Sequence, residues 1–353
     1  MKKIVLTGGG TAGHVTPNIA LFPLLKDLDY DVSYIGSYDG MERKLLQDFS
    51  IPYYGISTGK FRRYFDLKNF TDPFRVIKGY FEAKEILKKI KPDVLFSKGG
   101  FVTVPVVRAA ASLHIPCIIH ESDMTPGLAN RMCIPVAEKV CCNFPETLQF
   151  IPGNKAILTG TPIRRELFLG DKEEGFRFCG LKNDKPVIVV IGGSLGSAAV
   201  NQMIRTALPT LLQDFSVVHL CGKGKLDTSL QNTEGYLQYE YITNELKDLF
   251  AIADLVISRA GANAICELLA LQKPNLLIPL PSKSSRGDQL LNARSFESQG
   301  YSVVLEEEAL TKEFLISEIH KLYSNRNQFI DRMKHSTQTD SAAIILSLIQ
   351  ELS

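Results

Sequence analysis

The chain of 353 residues carries almost no net charge: 40 Lys and Arg against 38 Asp and Glu give +2. No whole-protein field argues for nucleic acid, so none is expected as a partner. The seven cysteines (Cys117, Cys133, Cys141, Cys142, Cys179, Cys221 and Cys266) make no Cys-x-x-Cys pair and no Cys/His metal spacing. Most sit in apolar runs such as Pro116-Cys117-Ile118-Ile119, where a thiol behaves as a small hydrophobe, a pattern suited to a reducing cytosol. No stretch approaches the roughly 18 apolar residues of a spanning helix. Between the first lysines and the first glycines lie only Ile4, Val5, Leu6 and Thr7, too little for a signal-peptide core, so none is expected. No Walker lysine follows either glycine-rich turn, which excludes P-loop hydrolysis. What is present is the composition of a soluble globular enzyme, 45% hydrophobic and 22% charged, long enough for two domains of about 150 residues each.

Short β-branched runs alternate with segments of helical period, the signature of parallel α/β folding. Strands are expected at residues 4–7, 32–35, 94–97, 117–120, 139–142 and 156–159. A helix is expected after Thr16-Pro17, with Thr16 as its N-cap. Residues 161–186 are charged, carry Gly and Pro and lack alternation, and read as the interdomain connection. The pattern then restarts with a strand at 187–191, a glycine turn at 192–196 and a helix face of Val200, Ile204, Leu208 and Leu211. The halves resemble each other: KIVLTGGGTAGHVTPNIALFPLL parallels VIVVIGGSLGSAAVNQMIRTAL. We therefore expect two doubly wound Rossmann-like domains, 1–162 and 163–340, with a last helix in 341–353 behind Asp340. Ligands of such sheets bind at the carboxyl ends of strands, which places a substrate in a cleft between the domains.

Gly8-Gly9-Gly10-Thr11-Ala12-Gly13-His14 joins a strand to a helix. Its amides suit an anionic oxygen, its Gly-x-Gly-x-x-Gly spacing also fits a dinucleotide, and a tight structural turn needs the same glycines. His14 beside a helix start is held neutral and is then able to accept a proton from a sugar hydroxyl; a capping His without chemistry is the plainer reading. Gly192–Gly196 with Ser194 reads as a second anion cradle, a glycine-rich connection alone being the alternative. In Ser258–Glu267 small residues let a ligand approach a helix start, Arg259 offers a permanent cation for a diphosphate and Glu267 an acceptor for ribose hydroxyls; a structural Arg–Glu pair is the alternative. Ser97–Val102 and His120–Asp123 end first-half strands and are expected to rim the cleft edge, plain strand-to-helix turns being the alternative; Ser285–Asn292 is a polar stretch before a helix, read either as reaching sugar hydroxyls or as an ordinary surface loop. Asp29-Tyr30-Asp31 is formally a metal motif but falls away from that edge, so no metal site is expected.

Residues 60–91 hold ten basic side chains and four acidic ones. Val76, Tyr80, Ala83, Leu87 and Ile90 follow the spacing of a core stripe, while Phe74, Ile77 and Phe81 form a second apolar face that the core does not need. Apolar side chains beside Lys and Arg suit an anionic lipid surface, about 1 kcal/mol per nearby cation, a merely solvated charged face being the alternative.

Seven segments stand in one order along most of the chain: GGGTAGHVTP, SKGGFVTVP, HESD followed by Gly127-Leu128-Ala129-Asn130, GTPIR, GGSLG, SRAGANAICE and RGDQLLNA. Together they resemble the MurG family of bacterial glycosyltransferases. The resemblance implies a GT-B fold, UDP-N-acetylglucosamine as donor, the C4 hydroxyl of an undecaprenyl-linked muramyl pentapeptide (lipid I) as acceptor, inversion at the anomeric carbon, and no metal or cofactor. It implies donor contacts from Ser194, Ile242, Ala262, Asn263, Ala264, Ile265, Cys266, Glu267 and Gln289, and from Thr11, Ala12, Gly13, Asp123 and Arg164. It implies catalytic or acceptor roles for His14, Glu121 and Asn130. Phe74 and Ile77 match the family's membrane-associating patch, which implies a peripheral protein on the cytoplasmic face of the cell membrane. Tyr80 matches that patch too, although its spacing assigns it to the core. The alternative from another class is an NAD(P)-dependent oxidoreductase using Gly8–Gly13, with ribose recognition near Asp39.

Overall fold

A computed structural model describes residues 1–59, 68–193, 196–282, 287–336, 338 and 340–353. The chain divides into two compact units, one made of residues 1–164 with 340–353, the other of residues 165–339.

The first unit is built on a parallel sheet of seven strands: β1 (Lys2–Thr7), β2 (Tyr30–Ser37), β3 (Tyr53–Ile56), β4 (Val94–Ser97), β5 (Cys117–Glu121), β6 (Lys139–Cys142) and β7 (Ala156–Leu158). Their order in space is β3-β2-β1-β4-β5-β6-β7. The helices between them are α1 (Thr16–Asp27), α2 (Met41–Leu45), α3 (Lys68–Ile90), α4 (Thr103–Ser112) and α5 (Leu128–Cys133). Every residue of β4 and β5 is buried, as expected for strands covered on both faces by crossover helices. The order reverses between β1 and β4, so the loops after those two strands flank the switch point where such sheets bind ligands.

The second unit repeats the plan with β8 (Val187–Ile191), β9 (Ser216–Leu220), β10 (Tyr236–Tyr239), β11 (Ala253–Ser258), β12 (Asn275–Leu277) and β13 (Ser302–Val304), ordered β10-β9-β8-β11-β12-β13. Its helices are α6 (Lys172–Cys179), α7 (Ala198–Asp214), α8 (Leu246–Ile252), α9 (Ala262–Ala270), α10 (Asp288–Ser298), α11 (Lys312–Ser324) and α12 (Arg326–Lys334). Here the switch point lies between β8 and β11. The α7 face of Val200, Ile204, Leu208 and Leu211 is buried against this sheet. The last helix, α13 (Ser341–Leu352), returns to the first unit, where Ile345, Leu348 and Ile349 pack with Ile4, Leu6 and Val94. Its N-cap is Asp340, whose carboxylate accepts from Ala343 N.

Three sequence expectations need correction. Residues 165–186 are folded into the second unit rather than forming a linker. Asp171 caps α6 through the amides of Glu173 and Glu174, and Gly180 ends that helix in the left-handed region, so the charged composition is that of a short surface helix. Thr16 is the first residue of α1 rather than its cap, and its hydroxyl donates to Ala12 O. The edge strand β3 has no counterpart among the expected strands, because Pro52 and Gly55 disguise its alternation. On α3, Ala83 and Leu87 are fully buried and Tyr80 packs against the same cluster, while Phe74, Ile77 and Phe81 are 74%, 55% and 61% exposed.

Candidate active site

In the first unit three loops converge at the switch point. After β1 the chain turns through Gly8–Gly10, then through a single 3-10 turn (Ala12–His14) into α1. Gly100, with φ of +92°, presses against this turn from the loop after β4; a Cβ there would stand 2.1 Å from Gly9 O. Only glycine fits that contact.

Glu42, fully buried at the start of α2, takes over the glycine loop from behind. Its carboxylate accepts from Gly10 N at 3.2 Å, Ser37 N at 2.9 Å and the Ser37 hydroxyl at 2.5 Å. The Gly9 amide donates to Gly99 O at 3.3 Å. An internal carboxylate therefore sits against the loop where a dinucleotide's diphosphate would be required. The Gly9 and Gly10 amides of the expected anion cradle are occupied, and the dinucleotide reading loses its physical basis. Glu42 lies in a segment, Asp39–Lys44, that reads as ordinary surface, and no sequence signal marks it.

His14 is the chemically distinctive group of this loop. Its Nδ1 lies 3.1 Å from Gly9 O and 3.1 Å from the Thr11 hydroxyl. A carbonyl only accepts, so Nδ1 carries the proton and the lone pair resides on Nε2. Desolvation, then the positive charge of Lys98, lowers the pKa of His14 to about 4, against the opposing effects of Gly9 O and Glu42. The imidazole is thus neutral at neutral pH.

Glu121 ends β5 and is 4% exposed. It staples the following loop to the strand by accepting from Asp123 N at 3.0 Å, Gly127 N at 2.9 Å and Asn130 Nδ2 at 2.8 Å. Burial raises its pKa to about 7, while the Asn130, Asp123 and Gly127 donors pull the other way. Asn130 also donates to His120 O, and its buried Oδ1 has no hydrogen-bond partner among the described residues. Thr11, Ala12, Gly13 and Asp123 occupy the same strand-end face, and half-buried Arg164 closes the unit's main segment.

In the second unit the loops after β8 and β11 flank the switch point. Ser194 lies outside the described residues. The Ser197 hydroxyl caps α7 and also accepts from Arg259 Nη2 at 2.6 Å. Arg259 is 8% exposed; its Nη1 donates to Ile278 O and Pro279 O at 3.0 Å, and its Nη2 pairs with Glu307 at 2.5 Å. This corrects the expected diphosphate cation. The guanidinium is committed to two carbonyls, a hydroxyl and a carboxylate, with Glu307 rather than Glu267 as partner. Its role is to tie the ends of β11 and β12 to the start of α7.

α9 begins at Ala262 behind Gly261, which supplies no side-chain cap. The first amides of a helix have no acceptor within it, so the backbone of Ala262, Asn263 and Ala264 presents the positive end of the helix dipole. Ile265 and Cys266 are a further correction, since both side chains are buried in the core and the Ile265 amide already donates to Gly261 O. Glu267 is half-buried one turn inside the helix. Gln289 accepts from Leu280 N at 3.0 Å through Oε1, which leaves its NH2 as the donor end. Ile242 is 7% exposed in the loop after β10. Among the described residues no group of three or more His, Cys, Asp and Glu is placed to hold a metal ion, Asp29 and Asp31 included.

Residues 4–142 match the model of the glycosyltransferase family 28 N-terminal domain, and residues 187–348 that of the family 28 C-terminal domain. A UDP-N-acetylglucosamine–N-acetylmuramyl-(pentapeptide) pyrophosphoryl-undecaprenol N-acetylglucosamine transferase of Lachnospira eligens is 63% identical over 351 residues, covering 99% of each chain. The transferase of the same name from Lachnoclostridium phytofermentans is 61% identical over 352 residues, 100% of this chain and 99% of that one. Among solved structures, Acinetobacter baumannii MurG superposes with a TM-score of 0.80 at 27% identity, covering 99% of this chain and 100% of the other.

Proposed function

The chain belongs to the MurG family of glycosyltransferases, and from that premise we propose the division of labour by which it moves N-acetylglucosamine from UDP-N-acetylglucosamine to the muramyl C4 hydroxyl of lipid I. The second unit takes the donor. The opening amides of α9 (Ala262, Asn263 and Ala264), with Ser194, receive the diphosphate, Glu267 receives the ribose, Ile242 the uracil, and the Gln289 NH2 the sugar. The first unit takes the acceptor on the face formed by Thr11–His14 and by the loop that Glu121 and Asn130 hold together, with Asp123 and Arg164 reaching toward the donor.

In the reaction the acceptor oxygen bonds to C1 as the bond from C1 to the diphosphate oxygen breaks, inverting the anomeric centre. Its proton passes to His14 Nε2. As that oxygen bonds to carbon it becomes oxonium-like and its proton acidic, so a weakly basic imidazole suffices. The negative charge growing on UDP falls on preorganised amide dipoles, worth several kcal/mol in a site with little water, about 3 kcal/mol for a single well-placed donor. Arg259 enters only by fixing the loops around them. Glu121 is a loop organiser in this scheme rather than the base.

The observation that carries the reading is the Nδ1 contact to Gly9 O, which leaves His14 a lone pair on Nε2 at the end of a central strand. Calorimetry separates the nucleotide classes. UDP-N-acetylglucosamine is expected to bind and NADH to give no heat; the reverse result contradicts the proposal.

Phe74, Ile77 and Phe81 define the proposed contact with an anionic membrane surface from the cytoplasmic side. No described helix is long and apolar enough to cross a membrane, and the exposed face of α3 supports adsorption instead.

A further inference from the structure

Lys98 follows β4 at the switch point and is 1% exposed. Burying an ammonium is costly unless strong hydrogen bonds replace its water. Its Nζ donates to His120 Nδ1 at 3.0 Å and to the Ser122 hydroxyl. His120 is fully buried, and its Nε2 lies 2.8 Å from Gly160 O. Since that carbonyl only accepts, Nε2 holds the proton and Nδ1 offers its lone pair to Lys98. Ser122 is tied further by Asn143 Nδ2, which donates to its carbonyl at 3.0 Å. One ammonium thus links the ends of β4 and β5 and, through His120 and Asn143, the turns after β7 and β6.

The same side chain lies beneath the glycine loop. The Lys98 amide donates to Thr7 O at 2.9 Å, and a Cβ on Gly8 would stand 3.3 Å from Lys98 Cβ. We infer that Lys98 is a positioning residue for sugar transfer: its ammonium clamps the loop that carries Glu121, Asp123 and Asn130, and its charge stands behind His14. The inference rests on the proposed reading in which that loop and His14 serve the acceptor. Being buried, Lys98 acts through these neighbours rather than on the substrate.

The titratable groups around His14 are Lys98 after β4, Glu42 on α2 and His120 on β5; the Tyr34 phenol on β2 donates to Gly8 O nearby. Lys98 and Glu42 act on the imidazole with opposite sign, and Lys98 has the larger effect. Removing Lys98 leaves Glu42, which favours the imidazolium.

Lys98→Met keeps the length of the side chain and removes both charge and donors. The full chain carrying it is titrated by NMR on its histidine ring protons, with His14 identified by the signals lost in His14→Gln. Transfer to a lipid I analogue is followed alongside from about pH 5 to about pH 9. The His14 midpoint is expected to rise by about one unit, kcat to fall about tenfold, and KM for UDP-N-acetylglucosamine to stay within about twofold. Ser122→Ala retains the charge; it is expected to lower kcat about threefold with the His14 midpoint unmoved. Should Lys98→Met not fold, Ser122→Ala carries the clamp, and an unchanged kcat there overturns it. An unmoved His14 midpoint in folded Lys98→Met overturns the charge effect. Failure of the base assignment itself reads differently: His14→Gln then keeps full kcat while Lys98→Met still moves the midpoint.

Discussion

His14→Gln is expected to lower kcat for sugar transfer by about 10²- to 10³-fold while KM for UDP-N-acetylglucosamine stays within about twofold. Glutamine is neutral, polar and of similar length, and its amide reaches toward the Nε2 position, but it has no basic lone pair to take a proton. The loss is therefore chemical rather than structural. The pH profile sharpens the expectation. With the imidazole held at about 4 by desolvation and by Lys98, the basic form persists through the neutral range and is lost only as the pH falls through about 4. An acid limb near pH 7 would instead identify Glu121, whose carboxyl burial raises to about that value. Measuring kcat against pH for the parent and for His14→Gln distinguishes the two groups.

The second large effect concerns the lipid surface. Phe74, Ile77 and Phe81 stand at i, i+3 and i+7 on one face of α3, exposed, with Arg75 and Lys78 beside them in the exposed surface. Replacing all three with Ser is expected to lower partitioning onto anionic vesicles by about 100-fold, since partial insertion at about 1 kcal/mol per side chain sums to about two decades. Melting temperature should not move, because these side chains make little of the core. Sedimentation with vesicles measures the partitioning. Salt at about 0.5 M should weaken parent binding by screening the basic residues, and unchanged sedimentation of the triple variant would show that α3 does not carry the contact.

The parallel sheets, the glycine turns and the internal duplication were legible because each is a local pattern: a β-branched run, a turn that demands glycine, a helix with an apolar face. The strands at 94–97, 139–142 and 187–191 coincide with β4, β6 and β8 for that reason. What was not legible depends on partners far along the chain. Arg259 reads as a free cation until Glu307, 48 residues later, and the carbonyls of Ile278 and Pro279 are folded against it. Glu42 and Lys98 carry residue types that mark solvent in most sequences, yet both are buried to brace loops. His14 stood out because an imidazole at a glycine turn is locally unusual; the tautomer that makes it useful comes from the fold of Gly9. The placing of α13 on the first unit is likewise a matter of long-range packing, although its Asp340 cap was visible locally.

In the proposed scheme, backbone dipoles at the start of α9 and a neutral imidazole on the first unit suffice for the chemistry without a divalent cation. Its most direct test is transfer of radiolabelled N-acetylglucosamine from UDP-N-acetylglucosamine to a lipid I analogue by the purified chain, with and without EDTA. Labelled lipid product is expected at the same rate in both. Absence of product, or a rate abolished by EDTA and restored by Mg²⁺, would contradict it.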